Sequence, residues 1–270
     1  MIAHLQRWLL ARFVGEAPFL HEINAGPGKG LRVMVALPAD KGLWTGTYES
    51  HFVGAVAAAV RPNSVCFDIG GFHGFVSGVM ALAGARRVVC FEPLPANLEV
   101  IHQLTQLNHP LPIEVRDHAL GAADGQVTFT VMAEDSMGKL ATSPFQSGQP
   151  GSTSIPVSIR SLDALLAHGE IVPPNLMKID VEGAELDVLQ GGRDLLATHH
   201  PEIFAEIHSP ELRAQCEAFL RELGYQISVL TGAGNSSLPT IGVSHLHAVA
   251  GDSAVMVSAA AEIARDDAPS

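Results

Sequence analysis

The sequence predicts an α/β domain whose mainly parallel sheet is covered by helices on both faces. Two observations carry this. From about residue 63 onward, short apolar runs of strand length alternate with longer segments of helical period, the pattern of strands joined by crossover helices. One of those runs, "SVCFDIG" (64–70), breaks into glycines and resumes as the small-residue segment "GFVSGVMALAGA" (74–85). That is a tight strand-to-helix turn which glycine permits.

The elements follow in order. "LRVMVALP" (31–38) is strand-like, and "YESHFVGAVAAAV" (48–60) reads as a helix stopped by Arg61-Pro62-Asn63. After the glycine turn, "RRVVCFEP" (86–93) is a second strand. "PANLEVIHQLTQLN" (95–108) is a helix with Pro95 in its first turn and apolar Leu98, Ile101, Leu104 and Leu107. "IEVRDHAL" (113–120) reads as a third strand, and "QVTFTVM" (126–132) alternates as another. Residues 133–156 are rich in Ser, Gly, Pro and Gln and read as a long irregular loop, a lid or acceptor loop. Ser161 caps a short helix in "SLDALLAHG" (161–169). "NLMKIDVEGAELDVLQGGRDLLATH" (175–199) is strand, turn and helix, and "PEIFAEIH" (201–208) is a strand. A helix opens at Ser209-Pro210 and ends at Gly224, before the strands "YQISVL" (225–230) and "HLHAVAG" (245–251).

The 270 residues are 47% hydrophobic, enough for one α/β domain with additions. Sixteen basic residues against 28 acidic ones give a net charge of −12. Such a surface repels phosphate backbones and argues against a nucleic-acid partner. Cys66, Cys90 and Cys216 form no C-x-x-C pair, so they read as buried thiols of a reducing cytoplasm. The first 19 residues carry Arg7 and Arg12 inside an apolar run and lack a clean cleavage site. They suit a short amphipathic helix packed on the body, not a signal peptide or a stable membrane insertion. Cytoplasmic localisation is the expectation.

In parallel sheets ligands sit beyond the carboxyl ends of the strands, at a switch point, so the strand ends are the places to look. The first end is Asp68-Ile69-Gly70-Gly71-Phe72-His73-Gly74. Its glycines let backbone approach a ligand, with amides of the following helix start facing it. The second is Phe91-Glu92-Pro93. Its acid lies roughly 20 residues past the glycine turn, where a carboxylate accepts both hydroxyls of an adenosine ribose. The spacing is G-x-x-x-G, not the G-x-G-x-x-G of dinucleotide enzymes, which tilts the choice from NAD to S-adenosylmethionine (SAM). Asp68 suits a direct or water-mediated role toward the SAM amino group. Asp117 and His118, at the third strand end, are where an adenine amino group could be met.

The fourth end, "MKIDVEGAELDVLQGG" (177–192), carries Lys178, Asp180, Glu182, Glu185 and Asp187. "DIGGFHGFVS", "FEPLPANLEVI", "SLDALL", "LMKIDVEGAELDVLQGG" and "FAEIH" occur in this order. Together they resemble the FkbM-type SAM-dependent methyltransferase family, from about Tyr48 to His208. The resemblance implies a class I methyltransferase, Rossmann-like fold: a seven-stranded mixed sheet with helices on both faces and a reversed hairpin at one edge. It implies O-methylation of a sugar, glycolipid or secondary metabolite hydroxyl. It places Tyr48 and Glu49 in a segment that closes over the cofactor, with Asp68, Gly70, Gly71, Gly74 and Glu92 around it. The family's turn usually reads D-I-G-A-N-x-G. Here Gly71 and Phe72 stand at the Ala and Asn positions, and Phe72 cannot supply that amide.

Methyl transfer needs an aligned oxygen and a group to take its proton. The candidates are Asp180, Glu206 and His208; alternation puts the last two on one strand face. His208 as a neutral base is one expectation. A divalent metal held by Asp180, Glu206 and His208 is another. His245 and His247 share one strand face, and His73 lines the pocket. The chain is divided as an N-terminal extension (1–47), a methyltransferase domain (48–250) and a frayed tail (251–270). Two rivals remain: a non-catalytic methyltransferase-fold binding module, and an NAD-dependent oxidoreductase. The sequence leaves a homo-oligomer open.

Overall fold

A computed structural model describes residues 17–131, 138–140, 153–230 and 242–251. The helix expected before residue 19, most of the 133–156 segment and the tail beyond 251 lie outside the described residues.

The chain opens with β1 (Phe19–Glu22) and β2 (Arg32–Val35), an antiparallel pair, then α1 (Lys41–Thr45) and α2 (Ser50–Ala59). The main sheet begins at β3 (Val65–Ile69). It continues through α3 (Phe75–Leu82), β4 (Arg87–Phe91), α4 (Pro95–Leu107) and β5 (Ile113–Arg116). Next come β6 (Ala119–Leu120), β7 (Gly125–Val131), β8 (Gly138–Leu140) and β9 (Thr153–Arg160), then α5 (Leu162–Ala167) and β10 (Leu176–Ile179). The chain returns through α6 (Glu185–Gly191), α7 (Arg193–His199), β11 (Glu202–Ile207), α8 (Pro210–Glu222), β12 (Tyr225–Val229) and β13 (Ser244–Ala250).

Seven strands form one sheet in the order β12-β13-β11-β10-β3-β4-β5. β13 is the reversed strand, antiparallel to β11 and to β12. The chain leaves β3 toward β4 and β5, and leaves β10 toward β11. The direction therefore switches between β3 and β10, and a crevice opens over their carboxyl ends. Strand alternation divides the core into two layers. Val65, Phe67 and Ile69 pack with Leu165, Leu189, Leu195 and Leu220 on one face. Cys66, Val88 and Leu176 pack with Phe52, Phe75 and Met80 on the other. Ile23, Leu31 and Val33 share this second layer, so the β1–β2 pair is fastened to the main body.

Three expectations change. "IEVRDHAL" is not one strand: β5 ends at Arg116, and β6 joins a separate four-stranded sheet, β6-β9-β7-β8. Within the expected loop, residues 138–140 and 153–156 are strand, paired with β7. The helix expected over 185–199 is two helices, parted at Gly192. A Cβ on Gly191 would strike the Gly121 carbonyl, and one on Gly192 would crowd Leu162. The two glycines thus buy close approach at the cost of a straight helix. The Ser161 cap is present, its Oγ accepting from Ala164 N at 3.3 Å. Ser209 caps α8 in the same way, accepting from Leu212 N at 3.1 Å. Among the described residues no helix is long and apolar enough to cross a membrane.

Candidate active site

A cavity of about 740 Å³ lies over the carboxyl ends of β3, β4, β10 and β11, within the size range of small-ligand pockets. Toward β4 its wall is Glu92, Asn97 and the apolar Leu94, Ala119, Phe129 and Ile159. Toward β10 and β11 it is acidic, lined by Glu49, Asp180, Glu182, Asp187 and Glu206.

The glycine turn joins the two regions. Gly70, Phe72 and Gly74 have φ of +79°, +49° and +75°, the left-handed region that glycine enters freely. A Cβ on Gly70 would collide with the Asp180 carbonyl, and one on Gly71 with Cys90 Sγ. Gly70 N and Gly71 N both donate to Phe91 O at 3.0 Å, and Gly74 N donates to Gly71 O at 2.7 Å. The turn is bolted to β4, and Gly70, Gly71, Phe72 and His73 line the cavity.

Glu92 is 4% exposed and accepts from Phe72 N at 2.9 Å, Leu94 N at 2.9 Å and Asn97 Nδ2 at 3.2 Å. Burial raises its pKa, and those three donors oppose the rise. Beside it, buried Asn97 Oδ1 has no hydrogen-bond partner. Asp68 is placed differently from expectation. It is fully buried beneath the turn and does not line the cavity. Ser77 Oγ donates to its Oδ2 at 2.6 Å, and Lys178 Nζ lies 3.3 Å from its Oδ1. Asp117 is exposed, and His118 packs edge-on against Phe91 at 5.6 Å. Neither lines the cavity; their neighbours Ala119 and Leu120 do. Tyr48, Glu49 and His73 do line it, with the Tyr48 ring edge-on to Phe75 at 5.5 Å.

At the acidic end β10 gives out at Ile179, and Asp180 follows at the cavity wall. Its Oδ1 lies 3.7 Å from His208 Nε2, and its Oδ2 lies 3.5 Å from Lys178 Nζ. His208 Nε2 is also 3.7 Å from Glu182 Oε2 and from Glu206 Oε1. On the far side of the ring, His208 Nδ1 donates to Glu185 Oε1 at 2.9 Å. Glu185 is fully buried and also accepts from Val181 N and Gly183 N. Burial alone would lower the His208 pKa. The Glu185 hydrogen bond and the charges of Glu185, Glu182 and Asp180 outweigh it and raise the pKa to about 9. His208 is therefore an imidazolium at neutral pH, which overturns its reading as a neutral base. Burial, reinforced by Glu206 and Glu182 against Lys178 and His208, raises Asp180 to about 6.

The metal set read from the sequence also changes. Glu206 Oε2 is held by His245 Nε2 at 2.9 Å. The donor atoms that converge, within 4.8 Å of one another, belong to Asp180, Glu182 and His208. Sequence reasoning missed Asn97, Ser77 and the burial of Lys178. Lys178 had a usable signal: it stands two residues before Asp180, hence on the same strand face.

Residues 68–227, more than half of the chain, match the profile of the Methyltransferase FkbM domain. The chain belongs to the FkbM methyltransferase family. It is similar to the hexuronic acid methyltransferase AglP of Haloferax volcanii, with 28% identity over 169 residues. That match covers 60% of this chain and 63% of AglP, so the chain spans less than two thirds of this relative. The Pyrococcus horikoshii protein PH0793 aligns over 91% of this chain and 81% of its own, with 13% identity and a TM-score of 0.50. An FkbM methyltransferase from Methylobacillus flagellatus aligns over 73% of this chain and 50% of its own, with 18% identity and a TM-score of 0.48. The fold is the class I, Rossmann-like methyltransferase fold, its reversed β13 lying second from the edge. Within the family's terms the unusual residue is Phe72. Asn tolerates the left-handed backbone at this position, whereas Phe sits there under strain. Its ring stacks on His73, with centroids 3.7 Å apart.

Proposed function

We propose that this FkbM-family protein transfers the methyl group of SAM to a hydroxyl of a sugar. The observation that carries the cofactor is Glu92 on the β4 wall of the cavity. Glu92 keeps accepting capacity beyond its three donors, since a carboxylate offers about four acceptor positions. That capacity suits the O–H donors of a ribose, and Leu94, Ala119, Phe129 and Ile159 offer an apolar bed for a base. The residues present therefore fit an adenosine ligand. The sugar is supported by the Haloferax volcanii relative, a hexuronic acid methyltransferase.

Bound SAM would supply a methyl group on a sulfonium, whose S–C bond breaks as the O–C bond forms, leaving S-adenosylhomocysteine. The chain's own residues do the rest. Asp180, basic for a carboxylate and on the cavity wall, takes the hydroxyl proton. His208, already protonated and fixed by Glu185, orients Asp180 and does not accept the proton. Tyr48 and Glu49 complete the cavity wall near Asp180.

Calorimetric titration tests the cofactor. SAM and S-adenosylhomocysteine are expected to bind, NAD is not, and Glu92→Ala is expected to lose both. Binding of NAD in their place would return the oxidoreductase reading. Binding of neither SAM nor S-adenosylhomocysteine would sink the proposal and favour the non-catalytic module, with Phe72 as its cause.

A further inference from the structure

We infer that the acceptor is a neutral or amino-bearing sugar and that this site disfavours a uronate. The inference rests on the methyl-transfer reading above and names its substrate class. It also separates this protein from the hexuronic acid methyltransferase it is similar to.

The acceptor end of the cavity carries five carboxylates from four parts of the chain. Glu49 comes from the segment ahead of α2, Asp180 and Glu182 from the turn after β10, Asp187 from α6 and Glu206 from β11. Among the described residues no arginine lines the cavity. Lys178 lines the cavity, but its side chain is only 5% exposed. Its Nζ donates to Gly70 O at 2.6 Å and faces Asp68 at 3.3 Å and Asp180 at 3.5 Å. The His208 ring is surrounded by Asp180, Glu182, Glu185 and Glu206. His245 is held by Glu206. Among the described residues, Lys178, His208 and His245 are thus each already matched by acids of the protein.

A sixth carboxylate, brought in by a uronate, would meet this field without a guanidinium to receive it. Such like-charge contacts are strongly disfavoured. An ammonium on the sugar would instead complete the field. A neutral hydroxyl-bearing ring would neither gain nor lose by charge and would bind through its hydroxyls.

Three methyl β-glycosides that differ in one group test the ranking: glucosaminide, glucoside and glucuronide. With saturating SAM and EDTA present, release of S-adenosylhomocysteine gives kcat/KM for each. The expected order is glucosaminide, glucoside, glucuronide, with about tenfold or more between first and last. Asp187→Lys, at the exposed rim of the cavity, is expected to narrow that gap. A glucuronide that equals or exceeds the glucoside overturns the inference, as does glucuronide turnover restored by added Mn²⁺. If S-adenosylhomocysteine binds but none of the three is methylated, the sugar-acceptor reading itself falls and takes the inference with it. If S-adenosylhomocysteine does not bind, the failure lies in the cofactor.

Discussion

Lys178 and Asp68 are register partners on the adjacent strands β10 and β3, and their charged atoms lie 3.3 Å apart beneath the glycine turn. Both are buried, at 4% and 0% exposure. Burial alone would lower the Lys178 pKa, but the charges of Asp68 and Asp180 outweigh it and hold the ammonium firmly protonated. The same ammonium donates to Gly70 O. One buried ion pair therefore ties the glycine turn to the strand that leads into Asp180, and it spans the switch point of the sheet.

Removing one partner of such a pair strands the other. Lys178→Met leaves Asp68 with Ser77 as its hydrogen-bond donor in a site without solvent. The expected loss is about 3–5 kcal/mol in urea unfolding. The double variant with Asp68→Asn removes both charges and is expected to recover most of it. A double variant no more stable than Lys178→Met alone would deny the pairing.

Phe72 gives a second expectation. Phe at φ +49° carries strain that Asn largely escapes, while its stack on His73 offsets part of that cost. Phe72→Asn is therefore expected to leave stability within about 1 kcal/mol. The restored amide is expected to tighten SAM by about 2- to 10-fold, the worth of one hydrogen bond. Calorimetry on both proteins decides it. An unchanged or weaker affinity would show that the amide is not needed in this pocket.

These two sites also mark what a sequence can and cannot say. Glu92 and Asp180 were legible as acids of the cavity wall because each stands where an apolar run gives out. Asp68 reads the same way but lies buried beneath the turn. That Lys178 faces Asp68 was not, because register between distant strands is set by tertiary packing. Residues 113–120 read as one strand because no glycine or proline marks the point where the backbone passes from one sheet to another. The His208 charge was illegible for a similar reason. It depends on four carboxylates from the turn after β10, from β11 and from the start of α6 meeting around one ring.

That ring makes stability depend on pH. The folded pKa of His208 is about 9, above an unfolded value of about 6.5. The stability it contributes is fully present below the unfolded value and is lost as pH rises through about 9. Its size is at most roughly 3 kcal/mol. Urea midpoints of the wild type are expected to fall across this window. Those of His208→Gln are expected to start lower and stay level there. Parallel slopes for the two proteins would assign the loss to other groups.

The proposed role of Asp180 as the base is checked by its own titration. Lys178 on the same strand and His208 after β11 favour its charged form. Glu182 from the next turn, Glu206 from β11, and the Tyr48–Glu49 segment disfavour it or are raised by it. Burial tips the balance, so the carboxylate ionises near pH 6. A base works only when ionised. Turnover at saturating SAM is expected to rise with pH through about 6 and then level. Asp180→Asn is expected to lose about 10²–10⁴-fold in rate, to flatten the profile near pH 6 and to keep its affinity for S-adenosylhomocysteine. Lost affinity would make Asp180 a cofactor ligand. A retained rate would move the proton to Glu206, the neighbouring carboxylate on the same wall.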